Sequence, residues 1–444
     1  MICLAVAIAM STQTPDFNEK LRPQFHFTAP KGWLNDPNGL VFYKGEYHLF
    51  YQHNPFSTEW GNMTWGHAVS SDLLHWKHLP NAIKPDEMGT MYSGSAVVDW
   101  KNTSGLGTKE NPPIVMFYTA AGGKNDLSKG KPFTQGLAYS TDGRTFTKLP
   151  SNPIIGHIEA ENRDPKVFWH DPTKNWVMAL YLNQDRFTIF RSHNLISWAR
   201  ASNVSLPGDG ECPDLFELAV DGDSKNKKWV FWGAAGKYRL GSFDGYQFKS
   251  ETDSLDSNHG PNAYAAQTYS DAPKGRRIQI SWMRGGNYPG MPFNQQMTMP
   301  LELALITTPD GPRLSVLPVQ EATKLRGKEL KVGSTGEAVT TSDLLEIRAR
   351  FKSDRSGSIS VGEHQVRYDS ATKTIHCGDR QAKLRSGKAE FEIIVYRDRT
   401  SLEVFGDYGL VSMPFCFVPS KQVDGVRVEG GSRVQVFELK PSMR

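Results

Sequence analysis

Three acidic residues stand beside prolines where apolar stretches of the chain begin. Asp36 and Asp164 each precede a proline, and Glu211 lies two residues before one. Carboxylates that are brought close together cannot all ionise freely, so one acquires a raised pKa while others stay charged. Acid/base chemistry on sugars requires that division of roles. Taken singly, each acid and its proline form an ordinary turn signal, so the chemistry depends on a fold that brings the three acids together.

A second pattern gives these acids a common position in a repeat. At four places an acidic or amide residue is followed by an aromatic residue four positions later: Asp72/Trp76, Asp142/Phe146, Asn194/Trp198 and Asp244/Phe248. The first residues of successive pairs are 70, 52 and 50 positions apart. Asp36 and Asp164 lie 36 and 30 residues before a member of this repeat, and Asp214, just after Glu211, lies 30 residues before another. A period near 50 with several short strands per unit is typical of a β-propeller. The first strand of each blade lines the central channel, so the repeat predicts that the three acids converge in one funnel.

The strands that must position the acids are visible as short runs. From about residue 38 to 310, apolar or alternating runs end in turn signals, with no sustained helical period. A further unit after Tyr264 makes five predicted blades. Beyond a turn cluster at 307–313, three period-two stretches predict a β-sandwich. We therefore predict an all-β protein, a five-bladed β-propeller followed by a β-sandwich domain, divided as follows: 1–22 N-terminal tail or partial signal peptide, 23–308 catalytic propeller, 309–325 linker, 326–444 C-terminal sandwich.

Composition excludes several other classes of protein. The 444 residues include 38% hydrophobic and 22% charged residues, as in a folded protein. The 51 basic and 47 acidic residues are interspersed, which disfavours a nucleic-acid or membrane partner. The four cysteines form no Cys-x-x-Cys pair, and no motif implies a metal or a cofactor. The apolar run 2–10 is too short to span a bilayer but has the length of a signal-peptide core. Secretion or a periplasmic location is favoured, with the cytoplasm as the alternative.

Three sequence motifs resemble those of a known family. Residues 33–39 read Trp-Leu-Asn-Asp-Pro-Asn-Gly, 163–165 read Arg-Asp-Pro and 211–213 read Glu-Cys-Pro. They resemble the signature motifs of glycoside hydrolase family 32, the β-fructofuranosidases, which include invertases, exo-inulinases and levanases. Further stretches agree with the family over nearly the whole chain from about Phe25: 51–55, 65–69, 92–95 and 264–267.

The resemblance implies roles for the three acids. Asp36 would be the nucleophile that attacks the anomeric C2 of a fructosyl unit. Glu211 would protonate the leaving oxygen and later activate water, and Asp164 would stay ionised and bind ring hydroxyls. This is two-step, retaining chemistry. The resemblance also implies a set of substrate-binding residues: Trp33, Asn35, Gln52, Trp60, Tyr92, Ser93, Arg163, Tyr264 and Trp282.

Simpler roles remain open for several of these residues. Gln52 and Ser93 could satisfy strand or turn hydrogen bonds, and Arg163 could be the structural partner of a neighbouring carboxylate. Trp76 and Trp198 occupy repeat positions and are interpreted as core residues. Cys212 is interpreted as an unpaired thiol that burial keeps inert, and the histidines of 48–78 as a cluster without the acidic ligands of a metal site.

The function expected from the sequence is the release of fructose from terminal, non-reducing β-D-fructofuranosides. The substrate would be sucrose or an inulin- or levan-type fructan, attacked from its end because the funnel is closed at one side. A fructosyltransferase of the same family, a non-catalytic fructan-binding protein and an inverting arabinan hydrolase are the alternatives. The sequence leaves the preferred linkage, the chain length and the oligomeric state open.

Overall fold

The computed structural model describes residues 17–443, which fold almost entirely into β-strands. Of the predicted N-terminal tail or partial signal peptide, 1–22, residues 1–16 lie outside the described part of the chain. The packed chain includes Phe17 and Arg22, both buried. None of the helices within residues 17–443 has the length and apolar character that a bilayer crossing needs. Five short 3₁₀ turns occur in this part of the chain: Asp126–Ser128, Asp171–Thr173, Pro273–Gly275, Gln320–Leu325 and Asp407–Gly409.

The propeller has five blades of four antiparallel strands, added from the centre outwards in chain order. Blade 1 contains β1 (Gly32–Tyr43), β2 (Glu46–Asn54), β3 (Thr64–Ser70) and β4 (Lys77–Ile83). Blade 2 contains β5 (Thr90–Val98), β6 (Ile114–Ala121), β7 (Thr134–Ser140) and β8 (Thr147–Lys148). Blade 3 contains β9 (Arg163–His170), β10 (Asn175–Asn183), β11 (Arg186–Ser192) and β12 (Ala199–Ser205). Blade 4 contains β13 (Asp214–Val220), β14 (Asp223–Trp232), β15 (Lys237–Phe243) and β16 (Phe248–Ser250), with β17 (Leu255–Asp256) beside β15. Blade 5 contains β18 (Tyr264–Thr268), β19 (Ile278–Trp282), β21 (Leu301–Thr308) and β22 (Gly311–Pro318).

The aromatic repeat of the sequence is the turn between the third and fourth strands of blades 1 to 4. The carboxylate or amide oxygen of each repeat residue accepts hydrogen bonds of 2.7–3.1 Å from the backbone N–H groups two and three positions ahead. This is the Asx-turn geometry that favours Asp and Asn. In blade 5 the corresponding turn, at Thr308–Gly311, lacks the acidic or amide residue followed by an aromatic one. The sequence repeat therefore has four members although the propeller has five blades.

The ring closes between blades 5 and 1. The short strand β20 (Phe293–Asn294) pairs in parallel with Gly32 and Trp33 at the start of β1. At the other end of β1, the backbone N–H of Ser270 donates a hydrogen bond of 2.9 Å to the backbone oxygen of Leu40. The range 309–325, expected to be a linker, contains β22 and the turn Gln320–Leu325. The propeller therefore continues to residue 318 before the chain crosses to the second domain.

The C-terminal domain is a sandwich of two six-stranded sheets, as the sequence predicts. One sheet has the order β23 (Arg326–Glu329), β34 (Ser432–Leu439), β25 (Leu345–Lys352), β30 (Glu390–Asp398), β31 (Ser401–Gly406) and β32 (Val411–Cys416). The other has the order β24 (Glu337–Ala338), β33 (Val426–Glu429), β26 (Gly357–Val361), β27 (His364–Asp369), β28 (Thr374–Cys377) and β29 (Arg380–Lys383). Apolar residues of the first sheet, such as Tyr396 and Phe437, share a core with Leu301 and Trp232 of the propeller. That shared core fixes the sandwich to blades 4 and 5.

A buried ionic cluster also joins the two domains. His26, which leads into blade 1, contacts Asp398 Oδ2 at 2.9 Å and Glu403 Oε1 at 2.7 Å, and all three side chains are almost fully buried. Glu403 also accepts a hydrogen bond from the backbone N–H of Met299 in blade 5. Burial alone would lower the pKa of His26, but the two carboxylates outweigh it and raise the pKa to about 9. The imidazolium is therefore part of the folded interface at neutral pH.

This cluster should make stability depend on pH above neutrality. A folded-state pKa of about 9 against 6.5 for an ordinary histidine contributes on the order of 3 kcal/mol. Because the folded state holds the proton more tightly, the contribution is complete below about pH 6.5 and is lost as the pH rises through about 9. Urea unfolding at pH 6 and pH 9.5 should show this loss in the wild-type protein and little of it in His26→Gln.

His75→Gln is the matched control, because His75 forms an exposed pair with Asp72 at 3.0 Å. Exposed ion pairs contribute little to stability, so this variant should lose stability between the two pH values as the wild type does. Equal pH dependence in His26→Gln and the wild type would show that the buried cluster does not carry the effect.

Candidate active site

One cavity gathers the predicted site residues at the starts of the inner strands. Its volume is about 280 Å³. Every site residue predicted from the sequence lines it except Trp33, and Glu161 and Arg284 complete the wall: Asn35, Asp36, Gln52, Trp60, Tyr92, Ser93, Glu161, Arg163, Asp164, Glu211, Tyr264, Trp282 and Arg284. Trp33 lies behind the wall, where its indole Nε1 donates to Asn35 Oδ1 at 2.9 Å. The fold thus brings the three acids into one pocket.

Irregular backbone turns these side chains into the cavity. The register of inner strand β1 slips by one residue between Leu34 and Pro37, and that of β5 slips around Ser93. The same kind of shift occurs in β9 around Asp164 and in β18 just after Tyr264. A one-residue bulge breaks the alternation of side chains and re-aims them. The bulges lie at one end of the inner strands, where the cavity opens.

Two of the acids and a neighbour have backbone conformations that are unusual for their residue types. Asp164, Glu211 and Cys212 have φ values of 65°, 59° and 38°. The left-handed region costs a residue with a Cβ roughly 1–2 kcal/mol, and such strain persists only where the surroundings enforce it. The thiol of Cys212 is buried between the acids, 3.5 Å from Asp164 Oδ2 and 3.8 Å from Asp36 Oδ2. Burial raises the pKa of this thiol well above its ordinary value, which keeps it neutral.

Asp36 is held by two donors. Ser93 Oγ donates to Asp36 Oδ2 at 2.5 Å, and Asn35 Nδ2 donates to Oδ1 at 3.1 Å. Burial raises the pKa of Asp36 in spite of these bonds, and the nearby Glu211 charge adds to the rise. The carboxylate is thus fixed in orientation at the cavity wall.

Asp164 is the most buried of the three acids. Only 6% of it is exposed, and Oδ2 accepts a hydrogen bond of 3.1 Å from the backbone N–H of Cys212. Burial raises its pKa to about 7, with the Arg163 charge opposing and the charges of Glu211 and Asp36 adding to the shift. Asp164 therefore lies close to its titration midpoint at neutral pH when no substrate is bound.

Glu211 has the opposite electrostatic environment. Arg163 Nη2 donates to Oε1 at 2.6 Å, and Tyr264 Oη donates to Oε2 at 2.7 Å. Burial alone would raise the pKa of Glu211, but the Arg163 charge and the two hydrogen bonds hold it below its ordinary value. Arg163 comes from blade 3 and Tyr264 from blade 5, so Glu211, which leads into blade 4, is held by the blades on either side of it. The role of Arg163 as partner of a carboxylate, left open by the sequence, is the one seen in the free protein.

Aromatic rings form the rim of the cavity. Trp60 is 54% exposed and meets Tyr92 edge to face at 5.9 Å between ring centroids. On the opposite side, Trp282 meets Tyr264 at 6.2 Å in the same way. Such faces suit the apolar side of a sugar ring.

Sequence reasoning missed Glu161 and Arg284, which lie outside the motifs. The guanidinium of Arg284 stacks over the Tyr264 ring at 4.6 Å, and Glu161 accepts a hydrogen bond from Arg163 through its backbone oxygen at 2.7 Å. Each lies two residues from a predicted site residue, Arg163 or Trp282. Both lie in turns just outside β9 and β19, so no alternation of side chains along a strand marked them in the sequence.

Comparison with known proteins identifies the family. Residues 26–318 match the model described as "Glycosyl hydrolases family 32 N-terminal domain". The chain belongs to glycosyl hydrolase family 32. A levanase from Bacillus subtilis (strain 168) is 36% identical over 99% of this chain and 74% of its own length. An extracellular exo-inulinase from Aspergillus awamori is 30% identical over 93% of this chain and 92% of its own. Membership confirms the prediction of an O-glycosyl hydrolase of the β-fructofuranosidase class.

Solved family 32 structures have the same fold. The crystal structure of exo-inulinase from Aspergillus awamori matches with a TM-score of 0.85 and 28% identity, covering 96% of this chain and all of that one. A β-fructofuranosidase from Schwanniomyces occidentalis complexed with fructosyl-erythritol matches with a TM-score of 0.84 and 27% identity, over 98% of this chain and all of that one. These matches confirm the propeller and sandwich predicted from the sequence.

Removing the charge of Arg163 should raise the pKa of Glu211. Without the guanidinium, the charged carboxylate loses its nearest counterion while burial remains, so the pKa of Glu211 should rise in Arg163→Met. Arg163→Lys should keep most of the original value because it keeps the charge. The titration can be followed by ¹³C NMR of glutamate-labelled protein, with the Glu211 signal assigned through Glu211→Gln.

Arg144→Met provides the control, since it removes a guanidinium that pairs with Glu46 at the surface at 2.6 Å. The Glu211 signal should titrate there as in the wild type. An unchanged Glu211 titration in Arg163→Met would contradict the electrostatic account of the site.

Proposed function

We propose that this protein is a retaining hydrolase that releases fructose from terminal, non-reducing β-D-fructofuranosides. The observation that carries the proposal is the placement of Asp36, Asp164 and Glu211 around one small cavity, in a chain of family 32. Asp36 is the nucleophile, Glu211 the acid and then the base, and Asp164 the group that binds ring hydroxyls. The reaction follows the two-step course of retaining glycosidases.

In the first step, a carboxylate oxygen of Asp36 forms a bond to C2 of the fructosyl unit. The bond from C2 to the leaving oxygen breaks, and that oxygen takes the proton of Glu211. In the second step, Glu211 takes a proton from water as the water oxygen attacks C2, and the ester to Asp36 breaks. Ser93 and Asn35 hold the Asp36 carboxylate in a single orientation for attack, which reduces the entropy that the step must lose.

The acid cluster holds a proton that Glu211 can use in the first step. In the free protein the Arg163 charge keeps Glu211 ionised, whereas Asp164 has a pKa of about 7. Ring hydroxyls that donate to Asp164 favour its charged form, so substrate binding moves the shared proton towards Glu211. The cluster therefore titrates as a unit, and the reactive protonation state is a minor one before substrate binds.

The dimensions of the cavity support attack at a chain end. At about 280 Å³ it lies near the lower end of small-molecule pockets, about 300–1,000 Å³, which suits one sugar ring in the innermost position. The buried Asp164 closes its floor, so a polymer enters with its terminal unit first. Relatives named levanase and exo-inulinase support a fructan substrate, and one named invertase supports sucrose. Relatives named extracellular support secretion of this protein.

Activity assays on variants of the two reacting carboxylates test this proposal. The wild-type protein should release fructose from sucrose, inulin or levan. Asp36→Asn should reduce kcat by at least about 10³-fold, because no other group in the cavity can form the covalent intermediate. Glu211→Gln should reduce turnover most for substrates with poor leaving groups and far less for an aryl fructoside, whose leaving group needs no proton.

Glu251→Gln is the control for Glu211→Gln, since it removes a surface carboxylate paired with Lys228. It should turn over substrate like the wild type. Full activity of Asp36→Asn would exclude its role as nucleophile, and an equal loss on both types of leaving group in Glu211→Gln would exclude its role as the acid.

Asp164→Asn should separate binding from catalysis. The hydrogen bonds of Asp164 strengthen as positive charge develops on the ring, so the substitution should lower kcat far more than it raises KM. Steady-state kinetics on sucrose measure both constants. A raised KM with unchanged kcat would assign Asp164 to ground-state binding alone.

A further inference from the structure

A second cavity lies at the opposite end of the propeller channel. Its volume is about 580 Å³, within the range of small-molecule pockets. Its wall comes from the ends of β5 and β9, from β13 and β14, and from Ser270 and Asp271, which follow β18. No residue of this wall belongs to the wall of the candidate active site.

A buried polar layer separates the two cavities. Along β9, Asp164, Lys166, Phe168 and His170 follow one another at two-residue steps, from the active-site cavity into the second one. Lys166 Nζ donates to the backbone oxygen of Thr268 at 2.7 Å and lies 3.1 Å from Asp214 Oδ2. Six residues of extended strand span roughly 20 Å. The buried layer of Lys166, Asp214 and Thr268 therefore lies between a ligand in the second cavity and the acids of the first.

Tryptophan rings dominate the wall of the second cavity. Trp169 and Trp176 meet edge to face at 5.1 Å, and Trp229 packs against Phe168 at 5.6 Å. Trp100 stands at the solvent side, 53% exposed, with its Nε1 donating to Asp271 Oδ1 at 2.9 Å. That hydrogen bond holds an exposed aromatic face in one orientation, as stacking on a ligand requires.

The wall of the second cavity has as many basic as acidic side chains. Three basic and three acidic side chains line the cavity: Lys101, Lys166, Arg277, Asp171, Glu217 and Asp271. Arg277 has few partners: within residues 17–443 its Nε donates to no acceptor, and Nη1 makes a hydrogen bond of 3.3 Å to Thr268 Oγ1. Its guanidinium lies over the Phe216 ring at 4.9 Å. Nε is inaccessible from the cavity, so Arg277 offers a ligand the Nη groups of its guanidinium.

From these features we infer that the second cavity binds a neutral oligosaccharide. Aromatic faces receive the C–H side of sugar rings, and hydroxyl groups can accept from Arg277 and donate to the carboxylates. Because the charges balance, neither an anion nor a cation is favoured over a neutral ligand. The inference goes beyond the proposed function, since it concerns a non-catalytic site that would hold a carbohydrate chain away from the reacting acids.

Calorimetric titration of an Asp36→Ala background, which prevents turnover, tests the site directly. The probes are an inulin-type tetrasaccharide, maltotetraose and inorganic phosphate, each added to the background protein and to its Trp100→Ala and Arg277→Met derivatives. At least one tetrasaccharide should bind, and Trp100→Ala should weaken this binding by about tenfold or more, as expected for loss of an aromatic anchor. Tyr246→Ala, which removes an aromatic ring of equal exposure on blade 4, should leave the binding unchanged.

The outcomes separate the possible ligands. Trp100-dependent binding of the inulin-type probe alone supports a fructan site, and similar binding of maltotetraose supports a site for neutral oligosaccharides in general. Trp100-independent binding of both sugars, or binding of phosphate without either sugar, overturns the inference. Failure of the wild type to hydrolyse any fructoside would refute the proposed function and leave Trp100-dependent binding intact, so the two claims fail separately.

Discussion

The site depends on placing three carboxylates in one cavity beside the guanidinium of Arg163. Arg163 lies 2.6 Å from Glu211 and 3.8 Å from Asp164, while Asp36 is held by neutral donors. Like charges this close raise one another's pKa values, and burial strengthens that effect. Arg163 determines which carboxyl ionises less readily. Its charge lowers the pKa of Glu211, while burial raises the pKa of Asp164 to about 7. The cluster therefore keeps one proton available at neutral pH for transfer within the site.

The propeller supplies the rigidity that this arrangement needs. Acids from blades 1, 3 and 4 meet only because the inner strands converge, and left-handed conformations at Asp164 and Glu211 aim their side chains inwards. The strain of these conformations is opposed by the blades around them, by the closure of β20 on β1, and by the sandwich bound through a shared core and the His26 cluster. The same inner strands end in a second, aromatic cavity. One set of strands thus presents reactive acids at one end and stacking surfaces at the other.

The sequence predicted much of the fold because its repeat has a local cause. The Asx turns begun by Asp72 and its three counterparts are set by short-range hydrogen bonds, which leave a spacing that can be read directly. The bulges at Ser93 and Asp164 are not visible in this way, because each is a shift in pairing with a neighbouring strand and leaves no local spacing in the sequence. The lowered pKa of Glu211 also escaped prediction, since Tyr264 and Arg163 reach it from other blades. The family motifs indicated which acids to propose as the reacting groups, and the electrostatic balance between them required the structure.

The anomeric form of the first sugar released tests the central claim most directly. NMR of fructose formed from a β-fructofuranoside, recorded before mutarotation, distinguishes the two anomers. If Asp36 forms a covalent intermediate and Glu211 activates water on the same face, the first product is β-D-fructofuranose, with the carboxyl groups about 5–5.5 Å apart as retaining enzymes require. Release of the α anomer would mean a single displacement by water, and the assignment of Asp36 as nucleophile would be wrong.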